Sequence, residues 1–347
     1  MITENLLEVD DLRTTFQTPR GAVCAVDGVS LTLKPGETLG IVGESGSGKS
    51  VLGRTIMGLI SNGPTTSVTG SVRIAGQDVH ALSAKRRRKL WGPTVAMVFQ
   101  DPMTSLNPVK KIGTHITEAL RLHFSMGKTE ARDRAIELLT QVGIPEPTRR
   151  MTQYPHELSG GMRQRVVIAM ALCCGPDLLI ADEPTTALDV TVQKQILDLL
   201  ASLSQTLNMA TILISHDLGA VEGRTDRVQV MYAGRVVESS GTGTVFAEPG
   251  HPYAEALLAS IPRMEDKPHT LLRAIDGTPP DMISPPPGCR FAPRCQYAQD
   301  RCVQESPPLL DHVGSANPHL IACHYPLIVP APGSAAAAAR TLLEETR

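Results

Sequence analysis

Alternation of apolar and polar positions dominates the first third of the chain, and helical periodicity takes over in the middle. Residues 6–16, 29–33 and 72–74 alternate and are rich in β-branched side chains, so they read as strands, with Lys34-Pro35-Gly36-Glu37 as a turn. Residues 38–43 form a continuous apolar strand that runs into a glycine-rich loop and a helix over 50–60. A second apolar strand, 95–99, precedes a helical stretch over 112–143. There Ile112, Ile116, Ala119 and Leu120, and later Ala135, Ile136, Leu138 and Leu139, recur at helical spacing. Helix (161–174), strand (178–181), helix (191–207) and strand (211–215) then alternate, which predicts a mostly parallel sheet covered by helices. In 191–207, Val192, Ile196, Leu199, Leu200 and Leu203 share one face. Residues 227–238 read as a hairpin turning at Ala233-Gly234.

Beyond residue 240 the composition shifts. Pro279-Pro280 and Pro285-Pro286-Pro287 mark an irregular second domain that opens with a helix over 251–261, and 331–340 is low-complexity tail. The division expected is 1–240 with a helical insert at about 101–165, then 241–326, then a flexible tail over 327–347. No internal repeat is visible.

Charge and composition narrow the classes. Thirty-three Lys plus Arg against thirty-five Asp plus Glu give a net charge of −2, and 41% of residues are hydrophobic, the balance of an ordinary globular chain. A phosphate-tracking surface usually shows as net basicity, so no nucleic-acid partner is expected. Lys85-Arg86-Arg87-Arg88-Lys89 reads as a solvated helix face in preference to a nucleic-acid or lipid patch, because nothing aromatic accompanies it. No apolar run approaches the ~20 residues that span a bilayer. The first residues are acidic where a signal peptide is basic, so the chain is expected neither to cross a membrane nor to be exported by itself.

Three segments carry chemistry. Gly43-Glu44-Ser45-Gly46-Ser47-Gly48-Lys49-Ser50 is a complete GxxxxGK[ST] loop between strand and helix. Its backbone N–H groups would close around a β-phosphate, with Lys49 bridging the β- and γ-phosphates and Ser50 on Mg²⁺. Asp182-Glu183 ends an apolar strand, where the first carboxylate would orient Mg²⁺ and the second polarise an attacking water. Leu158-Ser159-Gly160-Gly161-Met162-Arg163-Gln164 opens a helix with a hydroxyl and two glycines, again exposing backbone donors to an anion.

With these motifs in register the chain resembles the ATPase subunit of an ABC transporter over residues 6–240. LSGG-x-x-Q, the phosphate loop, Gln100 in Val98-Phe99-Gln100-Asp101, the turn Thr186-Ala187-Leu188-Asp189 and Ser215-His216-Asp217 occur in that family's order. The resemblance implies a RecA-like α/β core with an antiparallel β region, a helical subdomain and, here, a small irregular C-terminal domain. It implies ATP and Mg²⁺ as cofactors, with Phe16 stacking on adenine, Gln100 sensing Mg²⁺ beside Ser50 and Asp182, Glu183 as general base and His216 on the γ-phosphate. Ser159, Gly160, Gly161, Met162 and Asp189 would serve the opposite site of a head-to-tail dimer, so an isolated monomer should hydrolyse weakly. Met162 stands where many members have Gln, a departure not expected to impair turnover because Ser159, Gly160 and Gly161 make the phosphate contacts.

Gly250-His251-Pro252-Tyr253-Ala254, Gly288-Cys289-Arg290-Phe291-Ala292-Pro293-Arg294-Cys295 and Ala322-Cys323-His324 resemble the extension of oligopeptide, dipeptide and nickel importer ATPases, as does the stretch over 100–108. That implies a peripheral subunit on the cytoplasmic face of a bacterial inner membrane. Its partners would be a second homologous ATPase in a heterodimer, two permeases and an extracytoplasmic peptide-binding protein. Dipeptide or oligopeptide is the leading solute, with nickel and glutathione as alternatives. A soluble ABC ATPase of DNA repair or the ribosome is disfavoured, since such chains carry two ATPase units or long insertions.

Of seven cysteines, Cys24, Cys173 and Cys174 read as structural thiols. Cys289, Cys295, Cys302 and Cys323, spaced C-x5-C-x6-C-x20-C, are candidates for a [4Fe–4S] cluster, as in some dipeptide-importer ATPases that the chain resembles. Tetrahedral Zn²⁺ and unligated or disulfide-bonded cysteines stay open, although the usual zinc spacing is not met.

Overall fold

The computed structural model describes residues 5–101, 105–186, 188–261, 275–313 and 317–328. The expectations for the tail over 329–347, for Ala187 and for residues 102–104 therefore lie outside the described residues.

The amino-terminal alternation builds one antiparallel sheet. β1 (Leu7–Thr18), β2 (Gly21–Leu33), β4 (Thr66–Ile74) and β5 (Gln77–Asp78) lie in the order β2-β1-β4-β5. β2 starts at Gly21, well before the expected residue 29. The register between β1 and β2 shifts at Gly28, which sits at φ +76°. This bulge hides the period-2 signal upstream of Val29.

The solid apolar runs become the interior of a second sheet. β3 (Thr38–Val42), β6 (Val95–Val98), β7 (Leu178–Asp182), β8 (Ala210–Ser215) and β9 (Arg227–Tyr232) are parallel in the order β9-β3-β8-β7-β6 and almost wholly buried. β10 (Arg235–Gly241) returns antiparallel to β9 through Ala233 and Gly234, both at positive φ, the backbone a tight hairpin needs. Between the sheets, α1 (Lys49–Ile56) buries Leu52 and Ile56 with Leu7, Ile41, Ile180 and Ile212. α1 stops four residues short of expectation because Gly58 turns the chain at φ +74°.

α2 (Ala84–Leu90) exposes Lys85, Arg86, Arg88 and Lys89 and buries only Leu90. α3 (Ile112–His123), α4 (Lys128–Gln141), the single turn α5 (Pro147–Arg150) and α6 (Gly160–Leu172) cover the other face of the parallel sheet. Their core is the apolar set read from the sequence, Ile112, Ile116, Leu120, Ala135, Leu138 and Leu139. α7 (Val190–Thr206) links β7 to β8 and buries Ile196, Leu197, Leu200 and Leu203.

After β10 come α8 (Thr242–Ala247), α9 (Pro252–Ala259), a 3₁₀ turn at Ala292–Arg294, α10 (Asp300–Gln304) and two short strands, β11 (Leu310–Asp311) and β12 (Leu320–Ile321). β12 pairs with β10 through Glu238 and Ser239, so this segment extends the main sheet. Fully buried Glu238 accepts the N–H groups of Gly250 (2.9 Å) and His251 (2.7 Å) and lies 2.7 Å from His319 Nε2. A buried carboxylate is tolerable because each of these contacts replaces lost hydration. No helix among the described residues is long and apolar enough to cross a membrane.

Candidate functional site

The carboxyl ends of the parallel strands carry the site. The phosphate loop leaves β3 and closes tightly against the protein. A Cβ on Gly43 (φ +152°) would lie 2.1 Å from Met231 O, and one on Gly48 (φ +99°) 2.1 Å from Ala25 O, so only glycine fits at either position. Lys49, 3% exposed, donates to Gly43 O (2.7 Å) and Glu44 O (2.9 Å). Burial depresses its pKa, and Glu183, Asp182 and Glu44 oppose that shift. The start of α1 faces the loop with no acidic residue in its first turn, leaving its N–H groups and positive end for an anion.

Ser50 Oγ donates to Asp182 Oδ1 at 2.6 Å, bringing together two of the three residues expected at Mg²⁺. Asp182 is fully buried, and its Oδ2 has no hydrogen-bond partner among the described residues, although Arg54 Nη2 lies 3.7 Å away. Burial raises its pKa, with the Ser50 hydrogen bond working against that. A buried hydroxyl–carboxylate pair with one unpartnered oxygen is an oxygen donor set suited to Mg²⁺.

Glu183 follows at φ +46°, a conformation uncommon for a residue with a side chain, and its N–H is tied to Ile214 O at 3.0 Å. Its Oε2 meets three partners: Gln100 Nε2 (2.9 Å), Thr186 Oγ1 (3.1 Å) and His216 Nδ1 (3.1 Å). Oε1 has no protein donor among the described residues. The arrangement holds one oxygen fixed and leaves the other to accept a proton from water. His216 is half-exposed at the rim of a cleft of about 510 Å³ that Glu183, Thr186, Asp217, Leu257 and Ile261 also line.

Gln100, Glu183 and His216 thus meet, and Ser50 joins Asp182; Gln100, expected at Mg²⁺ beside that pair, makes its hydrogen bond to Glu183. The signature residues lie apart. Ser159 Oγ caps α6 by accepting Met162 N–H (3.3 Å), while Asp189 caps α7 by accepting Val192 N–H (3.0 Å). A Cβ on Gly160 would lie 3.2 Å from Leu188 and one on Gly161 2.7 Å from Val192. No hydrogen bond among the described residues joins this segment to the phosphate loop. Phe16 is half-buried on β1 between Val23 and Thr66. Sequence reasoning missed Thr186 as a donor to Glu183. It also missed the contacts of Tyr253 and Arg294 with Glu44, which no local pattern announces.

Cys289, Cys295, Cys302 and Cys323 line one small apolar cavity with Phe291 and His251. Burial pushes the thiols of Cys289 and Cys295 up and that of Cys323 up to about 12. All seven cysteines are free, and among the described residues no group of three His, Cys, Asp or Glu is arranged to hold a metal ion. Cys173 and Cys174 are buried, with sulfurs 3.6 Å apart, whereas Cys24 is only half-buried.

Comparison with known proteins gives two family matches, "ABC transporter" over residues 26–186 and "Oligopeptide/dipeptide transporter, C-terminal region" over residues 237–302. The chain is 52% identical to the oligopeptide transport ATP-binding protein OppD of Bacillus subtilis (strain 168), over 88% of this chain and 85% of that one. It is 50% identical to the dipeptide transport ATP-binding protein DppD of Escherichia coli (strain K12), over 93% and 97%. Among solved structures, the dimeric ABC transporter cassette MJ0796 bound to ADP and Pi superposes with a TM-score of 0.61 at 28% identity, covering 68% of this chain and 98% of that one. CbiO1 from Clostridium perfringens does so at 0.61 and 29%, covering 71% and 92%. The phosphate loop, the paired carboxylates and the extension belong to one lineage, and the chain is a member of the ATP-hydrolysing subunits of ABC transporters, in the branch that carries the oligopeptide/dipeptide C-terminal region.

Proposed function

We propose that this chain hydrolyses ATP to drive import of dipeptides or oligopeptides, working at the cytoplasmic face of an inner membrane. The observation that carries the reading is the joining of an ATP cassette to the oligopeptide/dipeptide extension in one chain about 50% identical to OppD and DppD. The partners proposed are a second, homologous ATPase, two permeases and an extracytoplasmic peptide-binding protein.

In the proposed chemistry the phosphate loop holds the triphosphate, and Lys49 moves from loop carbonyls to the β- and γ-phosphates. Ser50, Asp182 and Gln100 would hold Mg²⁺, which would supply charge compensation. Glu183 Oε1 takes a proton from the attacking water while Gln100, Thr186 and His216 keep the carboxylate aimed, and His216 contacts the γ-phosphate. Ser159, Gly160, Gly161, Met162 and Asp189 serve the facing site of the dimer, consistent with their distance from hydrogen-bond reach of their own loop. Phe16 stacks on the adenine.

For the cysteine cavity we propose a [4Fe–4S] cluster held by Cys289, Cys295, Cys302 and Cys323. What supports it is that four cysteines line one small apolar space and that burial disfavours ionisation of Cys289, Cys295 and Cys323 unless a cation compensates, although as they stand the side chains form no ready metal site among the described residues. Bound there, the cluster would cross-link a segment with few apolar residues of its own. Anaerobically purified protein should contain iron and acid-labile sulfide that Cys289→Ser and Cys295→Ser remove. Iron-free, colourless preparations contradict the cluster, and stoichiometric zinc would replace it.

The transport reading is tested by anaerobic affinity purification of the chain from native membranes in mild detergent, with mass spectrometry of what accompanies it. Two permeases, a second ATPase and a solute-binding protein are expected. Recovery with ribosomes or DNA-repair factors overturns the reading.

A further inference from the structure

Glu44, the second residue of the phosphate loop, is gripped from three sides. Its carbonyl accepts from Lys49, as above. Its N–H donates to Tyr253 Oη at 2.8 Å, and its carboxylate receives a bidentate pair from Arg294, Nη1 to Oε2 at 2.8 Å and Nη2 to Oε1 at 3.0 Å. Tyr253 and Arg294 both belong to the C-terminal segment, 209 and 250 residues away along the chain.

Arg294 is itself fixed. Nε donates to Asp276 O (2.8 Å), Nη2 also to Ile275 O (3.1 Å) and Nη1 also to Tyr232 Oη (3.2 Å), so all five guanidinium N–H groups are used. The group lies over the rings of Tyr232 and Phe291, 5.8 and 6.0 Å from their centroids, and its side chain is 4% exposed. Tyr232, Tyr253 and Phe291 pack as a three-ring cluster, with centroids 4.6 to 5.3 Å apart. A bidentate pair whose guanidinium is buried on so rigid a mount is the strong kind of charge-assisted contact.

We propose that Arg294 and Tyr253 are positioning residues for the phosphate loop, by which the C-terminal extension sets the affinity for ATP. The pair acts in two ways. It fixes the peptide whose carbonyl holds Lys49, and it neutralises a carboxylate that would otherwise face the triphosphate with its own sign. Neither residue touches the water-activating group Glu183, so the effect falls on nucleotide binding and leaves the chemical step alone. The inference rests on the ATPase activity alone, whatever solute or cluster the protein carries.

The test compares wild type, Arg294→Gln, Tyr253→Phe and the double variant Glu44→Gln with Arg294→Gln. Mg²⁺-dependent binding of a fluorescent ATP analogue is read on the full chain, and KM and kcat on the transporter complex. Arg294→Gln should raise Kd and KM roughly tenfold, the size of a lost charge-assisted hydrogen bond, with kcat within about twofold. Tyr253→Phe, which removes one hydroxyl and keeps the ring, should raise both about threefold. Adding Glu44→Gln to Arg294→Gln should recover most of the loss, because the unpaired carboxylate is gone. The proposal is overturned if Kd and KM stay at wild-type values while only the melting temperature falls, or if the second substitution recovers nothing. Should Arg294→Gln not fold, an unchanged Kd for Tyr253→Phe overturns the proposal by itself.

Discussion

Glu183 sits at φ +46° with one carboxylate oxygen taking three partners, and the proposed chemistry places the burden of water activation on this single side chain. Glu183→Gln should therefore lower kcat by at least about a hundredfold, the scale of a lost general base, while the nucleotide Kd stays within about twofold. Steady-state hydrolysis beside equilibrium binding checks this. Gly43→Ala should behave oppositely, because its Cβ would meet Met231 O at 2.1 Å and displace the loop. Loss of nucleotide binding in a protein that still folds is the expected result. Both residues were legible in the sequence, since each belongs to a short local motif. Arg294 was not, because a contact across 250 residues leaves no local periodicity to read.

At the level of elements, α6 and α7 both begin at polar caps, Ser159 and Asp189, that also lie in family motifs. Cap and motif roles separate by substitution. Asp189→Asn keeps an acceptor for Val192 N–H and should leave stability unchanged, whereas Asp189→Ala should cost about 1 kcal/mol in urea unfolding. The parallel strands and the helices over 112–143 were readable because burial on both faces and one-sided burial give distinct patterns. The early part of β2 was masked by the bulge at Gly28. The two-residue strands β11 and β12 are too short to alternate at all.

Across the whole molecule, the segment after β10 is built into the ATPase, since it adds strands to the main sheet and reaches the phosphate loop. Ending the chain after residue 241 should leave β10 as an unpaired edge beside buried Glu238, and sedimentation should show aggregation. Burial also gives stability a pH slope. His251 is held neutral down to about 3, against 6.5 when unfolded, so its contribution is complete above 6.5 and is lost as pH falls from 6.5 towards 3. The rate is about 1.4 kcal/mol per pH unit. His80, His115 and His312 are shifted in the same direction by burial. Thermal melts should be highest above pH 6.5, and His251→Asn, which keeps an acceptor for Tyr253 N–H, should flatten the decline.

The most direct measurement is peptide uptake into vesicles reconstituted with the purified complex and its binding protein, with ATP supplied on the side of this chain. The account predicts ATP-dependent accumulation of a dipeptide or oligopeptide that the wild-type chain supports and Glu183→Gln abolishes. Uptake that persists with Glu183→Gln, or a complex that hydrolyses ATP with no response to any peptide, would contradict it.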